Sequence, residues 1–328
     1  MSTYNKIYTD EIYSKVDQRN KDLLSDYELE LKVRGRSEAT IKQYLSDIKL
    51  FYCYAYLNLS NEYILNMKRR QFRSFFLFFQ ETGKSPARIN RQMSSLRGLL
   101  QYCEDDDDLY DDYEINVMRK IKSVEKGDGT KEIVFLEDEQ ITYLIDYLLE
   151  RKEYQKALYV SLSYDTGGRK QEIYQLTKKS FEGNGYKSEV VRGKRNKYFN
   201  LYFSQRTRDI YNMYINDRGN DNIDSLWVNE RGSEVRQVTA DMLYLYTLSF
   251  RSILESKYDT NLPIGPHSFR HSYATNLNNS THHMLKQLNR DSLDISELKI
   301  LLHHESVDMS NHYVKNTDQD KLDELFGE

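Results

Sequence analysis

The stretch PHSFRHSYAT, residues 266–275, says more about the fold and function of this chain than any other segment. Pro266 suits the first turn of a helix, where its missing amide hydrogen is not needed. His267, Arg270 and His271 then share one helical face, because positions three and four residues apart lie side by side. Arginine is almost never buried without a partner, so such a face is unusual for a core. The stretch predicts a functional cluster, with an ordinary polar surface as the alternative.

Two upstream segments carry basic residues at turns. The segment DTGGRKQEI, residues 165–173, places Arg169 after a Gly-Gly turn at the start of a predicted helix. The segment RGKRNK, residues 192–197, places Lys194 in the turn between two strand-like stretches. Each segment is ambiguous when it is taken alone.

The segment LLHHES, residues 301–306, contains His304, and Tyr313 follows nine residues later. Tyr313 alone would mean little, because 28 of the 328 residues are tyrosine. Taken in order, however, the four segments resemble the signature of the tyrosine recombinase (phage integrase) family over about residues 133–315. In the first half, the segment 34–56 and the Ile-Asn-Arg helix at 89–91 resemble the family's core-binding, SAM-like domain.

This resemblance implies phosphoryl transfer from DNA to a protein hydroxyl and back. It assigns the catalytic roles to six residues, which are Arg169, Lys194, His267, Arg270, His304 and Tyr313. The two arginines would clamp the charged phosphate oxygens by planar, bidentate contact, with His304 as a third donor. Tyr313 would be the nucleophile, His267 its proton acceptor and Lys194 the general acid for the leaving 5′-oxygen.

Supporting roles fall to Glu172 and His271. Glu172 resembles the acidic residue that the family places beside its site, and we expect it to orient His267 or Arg169. Neither a metal ion nor another cofactor is expected, because the sequence has no metal-ligand spacing. A phosphotyrosyl link also conserves the bond energy without ATP or Mg²⁺.

The apolar pattern predicts a mainly α-helical chain with one small β-sheet at 186–203. The fold class is an N-terminal SAM-like helical bundle followed by a mixed α+β catalytic domain of the tyrosine recombinase type. The predicted boundaries are 1–122 for the core-binding, DNA-binding domain, 123–132 for a linker and 133–328 for the catalytic domain with its C-terminal tail. The linker stretch SVEKGDGTKE has few apolar residues and two glycines.

The net charge of −4 argues mildly against a nucleic-acid partner, but its distribution does not. Eight of the 51 acidic residues lie in the run 104–114, so the remaining chain has fewer acidic residues than its 47 basic ones.

Cys53 and Cys103 lie in apolar helical patterns and are expected to be buried free thiols. The first ten residues have no apolar region typical of secretion, and no apolar run is long enough for a membrane span. We therefore expect a cytoplasmic protein of a bacterial or phage-infected cell, associated with the nucleoid.

The basic residues Lys84, Arg88 and Arg91 form one stripe on a predicted helix, without an acidic residue from 84 to 97. Because the stripe is single-signed and looks unpaired, it favours contact with DNA phosphates, with a solvated face as the alternative. Further DNA contacts are predicted in the hairpin turn, from Arg192, Arg195 and Lys197.

Three positions depart from the family's pattern. Gly168 stands where an aliphatic residue commonly precedes the first arginine, His303 replaces a glycine, and Glu305 replaces a small polar residue. Gly168 would loosen the placement of Arg169, and Glu305 would bring negative charge near the phosphate. These departures keep two alternatives open, a phage repressor-like DNA-binding regulator of the same fold and a type IB topoisomerase-like nicking enzyme.

The expected partner is double-stranded DNA, bound by a homo-oligomer. A recombinase would act as a tetramer, because recombination joins two duplexes, whereas a regulator would bind as a dimer. The tail at 318–328 carries apolar residues at helical spacing and is expected to dock on a neighbouring protomer, or else on its own domain.

Overall fold

The computed structural model describes residues 7–106, 108–125, 134–194, 197–231, 234–293 and 295–301. The chain divides into two compact units, Met1–Thr130 and Lys131–Glu328. This division falls inside the predicted linker 123–132. Most of that segment lies outside the described residues, so its character as a linker remains a prediction.

The N-terminal unit is helical throughout its described part. Its α-helices are α1 (Asp10–Ser14), α2 (Gln18–Val33), α3 (Glu38–Asn58), α4 (Arg69–Glu81) and α5 (Pro86–Asp105), with short 3₁₀ turns at Ile64–Asn66 and Val117–Lys120. The break between α2 and α3 comes at Gly35, whose φ of +64° is favourable for glycine. Ser37 and Ser85 cap α3 and α5 by accepting a backbone N–H in the first turn. Both helices begin directly after these caps.

Phenylalanines from α3 and α4 form the centre of this unit. The ring centroids of Phe51 and Phe72 are 5.1 Å apart in a stacked pair, and Phe75 meets Phe51 edge-on at 5.1 Å. Cys53 and Cys103 are buried free thiols, as predicted, and burial raises the pKa of each to about 12. Neither thiol is suited to act as a nucleophile at neutral pH.

The C-terminal unit combines helices with two hairpins. Its helices are α6 (Asp138–Glu150), α7 (Tyr154–Thr166), α8 (Lys170–Tyr174), α9 (Gln205–Arg218), α10 (Ala240–Tyr258), α11 (Pro266–Asn278), α12 (Met284–Leu288) and α13 (Ile295–Leu301). Its strands are β1 (Lys187–Arg192) with β2 (Tyr198–Tyr202), and β3 (Val228–Arg231) with β4 (Glu234–Gln237), each pair antiparallel.

Helix α7 is the central element of this unit, because every residue from Ala157 to Thr166 is buried. Trp227, the one tryptophan of the chain, is fully buried nearby, and its indole N–H donates to the carbonyl oxygen of Ile173 at 2.9 Å. This contact ties the segment before β3 to α8. None of the described helices combines the length and the apolar character that crossing a bilayer requires.

The expectation of a single small sheet is wrong. The hairpin β1–β2 lies within 186–203, as predicted, but β3 and β4 form a second two-stranded sheet. Its strands were missed because β4 has the sequence EVRQ, which is mostly exposed and has no alternating apolar face.

Candidate active site

The turn at the end of α7 positions the first arginine. Gly167 has a φ of +56°, and a Cβ built there would lie 2.4 Å from the ring of Tyr273. Thr166 accepts the N–H of Gly168 on its hydroxyl oxygen at 3.0 Å. The turn therefore depends on glycine at 167 both for its backbone conformation and for its packing.

Gly168 does not loosen this turn, contrary to the expectation from the sequence. Its backbone is buried and hydrogen-bonded, and an added Cβ would lie 2.8 Å from the δ carbon of Ile173. Because Ile173 is itself fully buried, the space beside position 168 is already filled. Glycine here allows close packing between the turn and α8.

Arg169 is held by Glu172 one turn further along α8. The carboxylate of Glu172 accepts the backbone N–H of Arg169 at 2.7 Å and its guanidinium at 3.0 Å. The side chain of Glu172 is 3% exposed, whereas that of Arg169 is 27% exposed. Of the two partners that the sequence allowed for Glu172, the contacts show Arg169. Glu172 therefore fixes both the backbone and the guanidinium of Arg169, while part of the arginine side chain stays exposed.

Arg270 joins the same turn from α11. Its guanidinium donates to the carbonyl oxygen of Gly167 at 2.6 Å, although the two residues are 103 positions apart in the chain. Arg270 is buried, and His271, which follows it, is half-buried. The fold thus brings the two predicted clamp arginines to one turn.

His267 lies at the exposed start of α11, beside this charge. Partial desolvation, and then the positive charges of Arg169 and Arg270, lower the pKa of His267. The imidazole is therefore neutral near pH 7, the form in which it can accept a proton.

The turn of the hairpin β1–β2 packs close to the carboxylate of Glu172. The side-chain amide of Gln175 bridges the backbone N–H and carbonyl oxygen of Arg192, both at 2.9 Å. A Cβ at Gly193 would lie 3.1 Å from the Glu172 carboxylate. These contacts bring the turn that carries Lys194 against α8, and Lys194 itself is exposed. Gln175 was not singled out in the sequence, because a glutamine at the end of a helix gives no signal of such a bridge.

Several predicted site residues fall outside the described residues. They are Arg195, His304 and Tyr313, together with His303, Glu305 and the tail at 318–328. Lys197 lies at the base of the hairpin turn, where its carbonyl oxygen accepts the N–H of Gly193 at 2.7 Å. The described half of the site thus consists of Arg169, Arg270, His267, Glu172 and the hairpin turn.

The predicted basic stripe in the N-terminal unit needs a correction at Arg91, which is paired. Its guanidinium donates twice to Asp47 on α3, at 3.0 and 2.8 Å. Asp47 is buried and also accepts from the neighbouring Gln92 and Ser95. Arg91 therefore joins α5 to α3. For Lys84 and Arg88 the described part of the chain offers no acidic partner.

This division of the stripe predicts different effects on DNA binding. In the double variant Lys84→Ala/Arg88→Ala, the slope of log affinity against log salt should fall by about 1.8, because each lost phosphate contact removes ~0.9. Arg91→Ala should leave that slope nearly unchanged and instead lower the thermal stability of the N-terminal unit, since the buried carboxylate of Asp47 loses its ion-pair partner. Titrations of binding at several salt concentrations measure the slopes, and thermal unfolding of the same variants measures the stability. A slope unchanged in the double variant would remove Lys84 and Arg88 from the DNA interface.

The chain belongs to the phage integrase family. The family's model matches residues 134–320, and the model of its N-terminal SAM-like domain matches residues 24–106. The fold class predicted from the sequence is thereby confirmed.

Individual relatives agree with this assignment. The chain is 28% identical over 312 residues to a tyrosine recombinase of Thermosipho africanus, covering 92% of this chain and 96% of that one. It is 22% identical over 338 residues to the SPbeta prophage-derived recombinase-like protein YomM of Bacillus subtilis, covering 97% of this chain and 94% of that one.

Solved structures share the fold. The XerH site-specific recombinase bound to its palindromic difH substrate has a TM-score of 0.64 at 21% identity, covering 90% of this chain and 81% of that one. A lambda integrase dimer bound to a COC′ core site has a TM-score of 0.64 at 14% identity, covering 89% and 94%.

Proposed function

We propose that this protein is a site-specific DNA recombinase that cleaves and rejoins DNA through a 3′-phosphotyrosyl intermediate on Tyr313. The observation that carries the proposal is the meeting of Arg169 and Arg270 at one glycine turn, with His267 beside them. Two guanidiniums held in place by a buried carboxylate and a backbone carbonyl form a site for a phosphodiester, whose two non-bridging oxygens share one negative charge and match the planar donors.

The chemistry follows from these positions. The hydroxyl oxygen of Tyr313 attacks the phosphorus, and His267 takes its proton. The bond to the 5′-oxygen breaks, and Lys194 gives that oxygen a proton while the 3′-phosphate stays on the tyrosine. The arginines, with His304, stabilise the charge that develops on the phosphate oxygens. Attack by the 5′-hydroxyl of another strand reverses these steps and joins the new partner.

This scheme consumes no bond energy, because one phosphoester replaces another at each step. We therefore expect no requirement for ATP or for a metal ion. Joining two duplexes requires four cleavages, so the active assembly on DNA is expected to be a tetramer in the bacterial or phage-infected cytoplasm. The relatives carry recombinase names, which favours the enzyme over the repressor-like regulator.

A covalent trap tests this function. The bound sequence is first selected from a random DNA pool with the full chain. A duplex of that sequence, nicked beside the cleavage position, then loses a short fragment when it is cut, so that religation fails. We expect a denaturation-resistant protein–DNA complex in EDTA without nucleotide. Tight binding without any covalent complex would instead support the regulator.

A further inference from the structure

His283, which has no role in the proposed chemistry, is held between two aspartates behind the glycine turn. Its Nδ1 lies 2.9 Å from Oδ1 of Asp138, and its Nε2 lies 2.9 Å from Oδ1 of Asp165. The Asp165 side chain is fully buried and that of His283 is 24% exposed. The Nδ1 contact is a hydrogen bond, whereas the Nε2 contact is an ion pair without hydrogen-bond geometry, since among the described residues neither Nε2 nor Oδ1 of Asp165 has a hydrogen-bond partner. Two carboxylates this close to one ring attract positive charge and favour the imidazolium.

The two aspartates are themselves held in place. Asp138, the first residue of α6, accepts the hydroxyl of Tyr164 at 2.8 Å and the backbone N–H of His283 at 3.1 Å. The second oxygen of Asp165 accepts the hydroxyl of Thr207 at 2.6 Å and the backbone N–H that precedes α9 at 2.8 Å. The bridge therefore joins α6, the end of α7, the start of α9 and the segment before α12.

Asp165 stands directly before the turn that carries the phosphate site. The next residues are Thr166, Gly167, whose carbonyl receives Arg270, and Gly168, which leads into Arg169. A neutral His283 could keep its hydrogen bond to Asp138, but the fully buried carboxylate of Asp165 would lose the positive charge that faces its Oδ1 atom.

We propose that His283 is a positioning residue: its charged bridge between Asp138 and Asp165 fixes the end of α7, and through it the turn that presents Arg169. The consequence for DNA cleavage rests on the proposed function, whereas the bridge itself is a property of the fold.

The bridge has a defined pH range. Burial opposes the charge on His283, but the close contacts and charges of Asp138 and Asp165 outweigh it and raise the pKa of His283 to about 9. A raised pKa contributes stability that is complete below the ordinary histidine value of 6.5 and is lost as the pH rises through about 9.

The groups around His283 do not titrate in this range. The titratable groups packed around it are Asp138, Asp165, Tyr164 and His282, and Tyr273 packs on His282. The pKa of each aspartate is lowered, mainly by His283 acting against burial, and burial raises the pKa of both tyrosines. Burial and the charge of His283 lower the pKa of His282 to about 4.

Three variants of the full chain test the bridge. His283→Gln removes the charge, and Asp165→Asn keeps the shape of the side chain while removing one of the two negative partners. Asp291→Asn is the control, since it makes the same chemical change at an exposed position after α12. Two quantities are measured against pH, namely the unfolding midpoint from Trp227 fluorescence and the rate of covalent complex formation on the nicked duplex.

In the wild type, we expect both the unfolding midpoint and the rate of covalent complex formation to decrease at alkaline pH. In Asp165→Asn, this decrease should occur at a pH lower by about one unit or more. In His283→Gln this component should vanish, with cleavage near neutral pH at least about tenfold slower. Asp291→Asn should match the wild type. A decrease that stays in place in Asp165→Asn, or His283→Gln cleaving at the wild-type rate, overturns the proposal.

The two proposals fail in different ways. If the wild type forms no covalent complex, the proposed function fails, but the unfolding midpoints still decide whether the bridge exists. The same residue types also bind zinc, and Asp138, His282 and His283 offer ligand atoms within 4.8 Å of one another. Stoichiometric zinc in the purified protein would replace the bridge by a metal site and overturn the proposal.

Discussion

Arg169→Lys and Arg270→Lys are each expected to slow DNA cleavage by about a thousandfold while DNA affinity changes by only a few-fold. Lysine keeps the positive charge but cannot make two parallel hydrogen bonds to the phosphate. Donors aimed at a developing charge contribute roughly 10²–10³-fold each, and clamp arginines in phosphoryl transfer contribute up to ~10⁵-fold. Arg270→Lys also loses the fixed contact with the carbonyl oxygen of Gly167.

The measurement is the single-turnover rate of covalent complex formation at saturating protein. Arg236→Lys serves as the matched control, because Arg236 is exposed on β4 and paired with Glu234. It should cleave at the wild-type rate. If both clamp variants cleaved within tenfold of the wild type, the phosphate would have to bind elsewhere.

Gly167→Ala should destabilise the C-terminal unit by about 2–5 kcal/mol. A left-handed backbone costs a non-glycine residue roughly 1–2 kcal/mol, and overpacking of a filled core adds about 1–3 kcal/mol. The clash would be with Tyr273, which is buried and has little room to move. The same turn receives Arg270 and leads into Arg169. The cleavage rate should therefore fall by more than the fraction of unfolded protein explains.

Gly183→Ala separates the two contributions. Gly183 also has a positive φ, of +75°, but a Cβ there meets nothing within 4 Å. This control should therefore lose about 1–2 kcal/mol and keep its activity. Denaturation followed by Trp227 fluorescence reports on the unit that contains both positions. Equal losses in the two variants would show that Tyr273 does not restrict position 167.

The features that could be predicted from the sequence are those that depend on neighbouring residues, such as helix starts and the order of the site residues. Pro266 was predicted to lie in the first turn of a helix, and α11 begins at this residue. The order of Arg169, Lys194 and the 266–275 stretch pointed to one site, because these residue types in this order match one family's chemistry. The structure then shows that the glycine turn at 167–168 and the carboxylate of Glu172 position Arg169 in this site.

Contacts between distant positions could not be predicted in this way. Arg91 looked unpaired because no acidic residue is near it in sequence, yet Asp47 lies 44 positions away on a helix packed beside it. His283 likewise had no signal, since its partners are 145 and 118 positions upstream in other helices. Charge pairing across a core depends on tertiary packing, which a helical pattern does not specify.

The identity of the covalent link tests the central claim most directly. The trapped complex is digested with a protease, and the peptide that retains DNA is sequenced by mass spectrometry. We predict a single link, from Tyr313 to a 3′-phosphate, and its loss in Tyr313→Phe, which should still bind the selected site. A link to another residue or to a 5′-phosphate, or a complex that persists in Tyr313→Phe, would contradict this account.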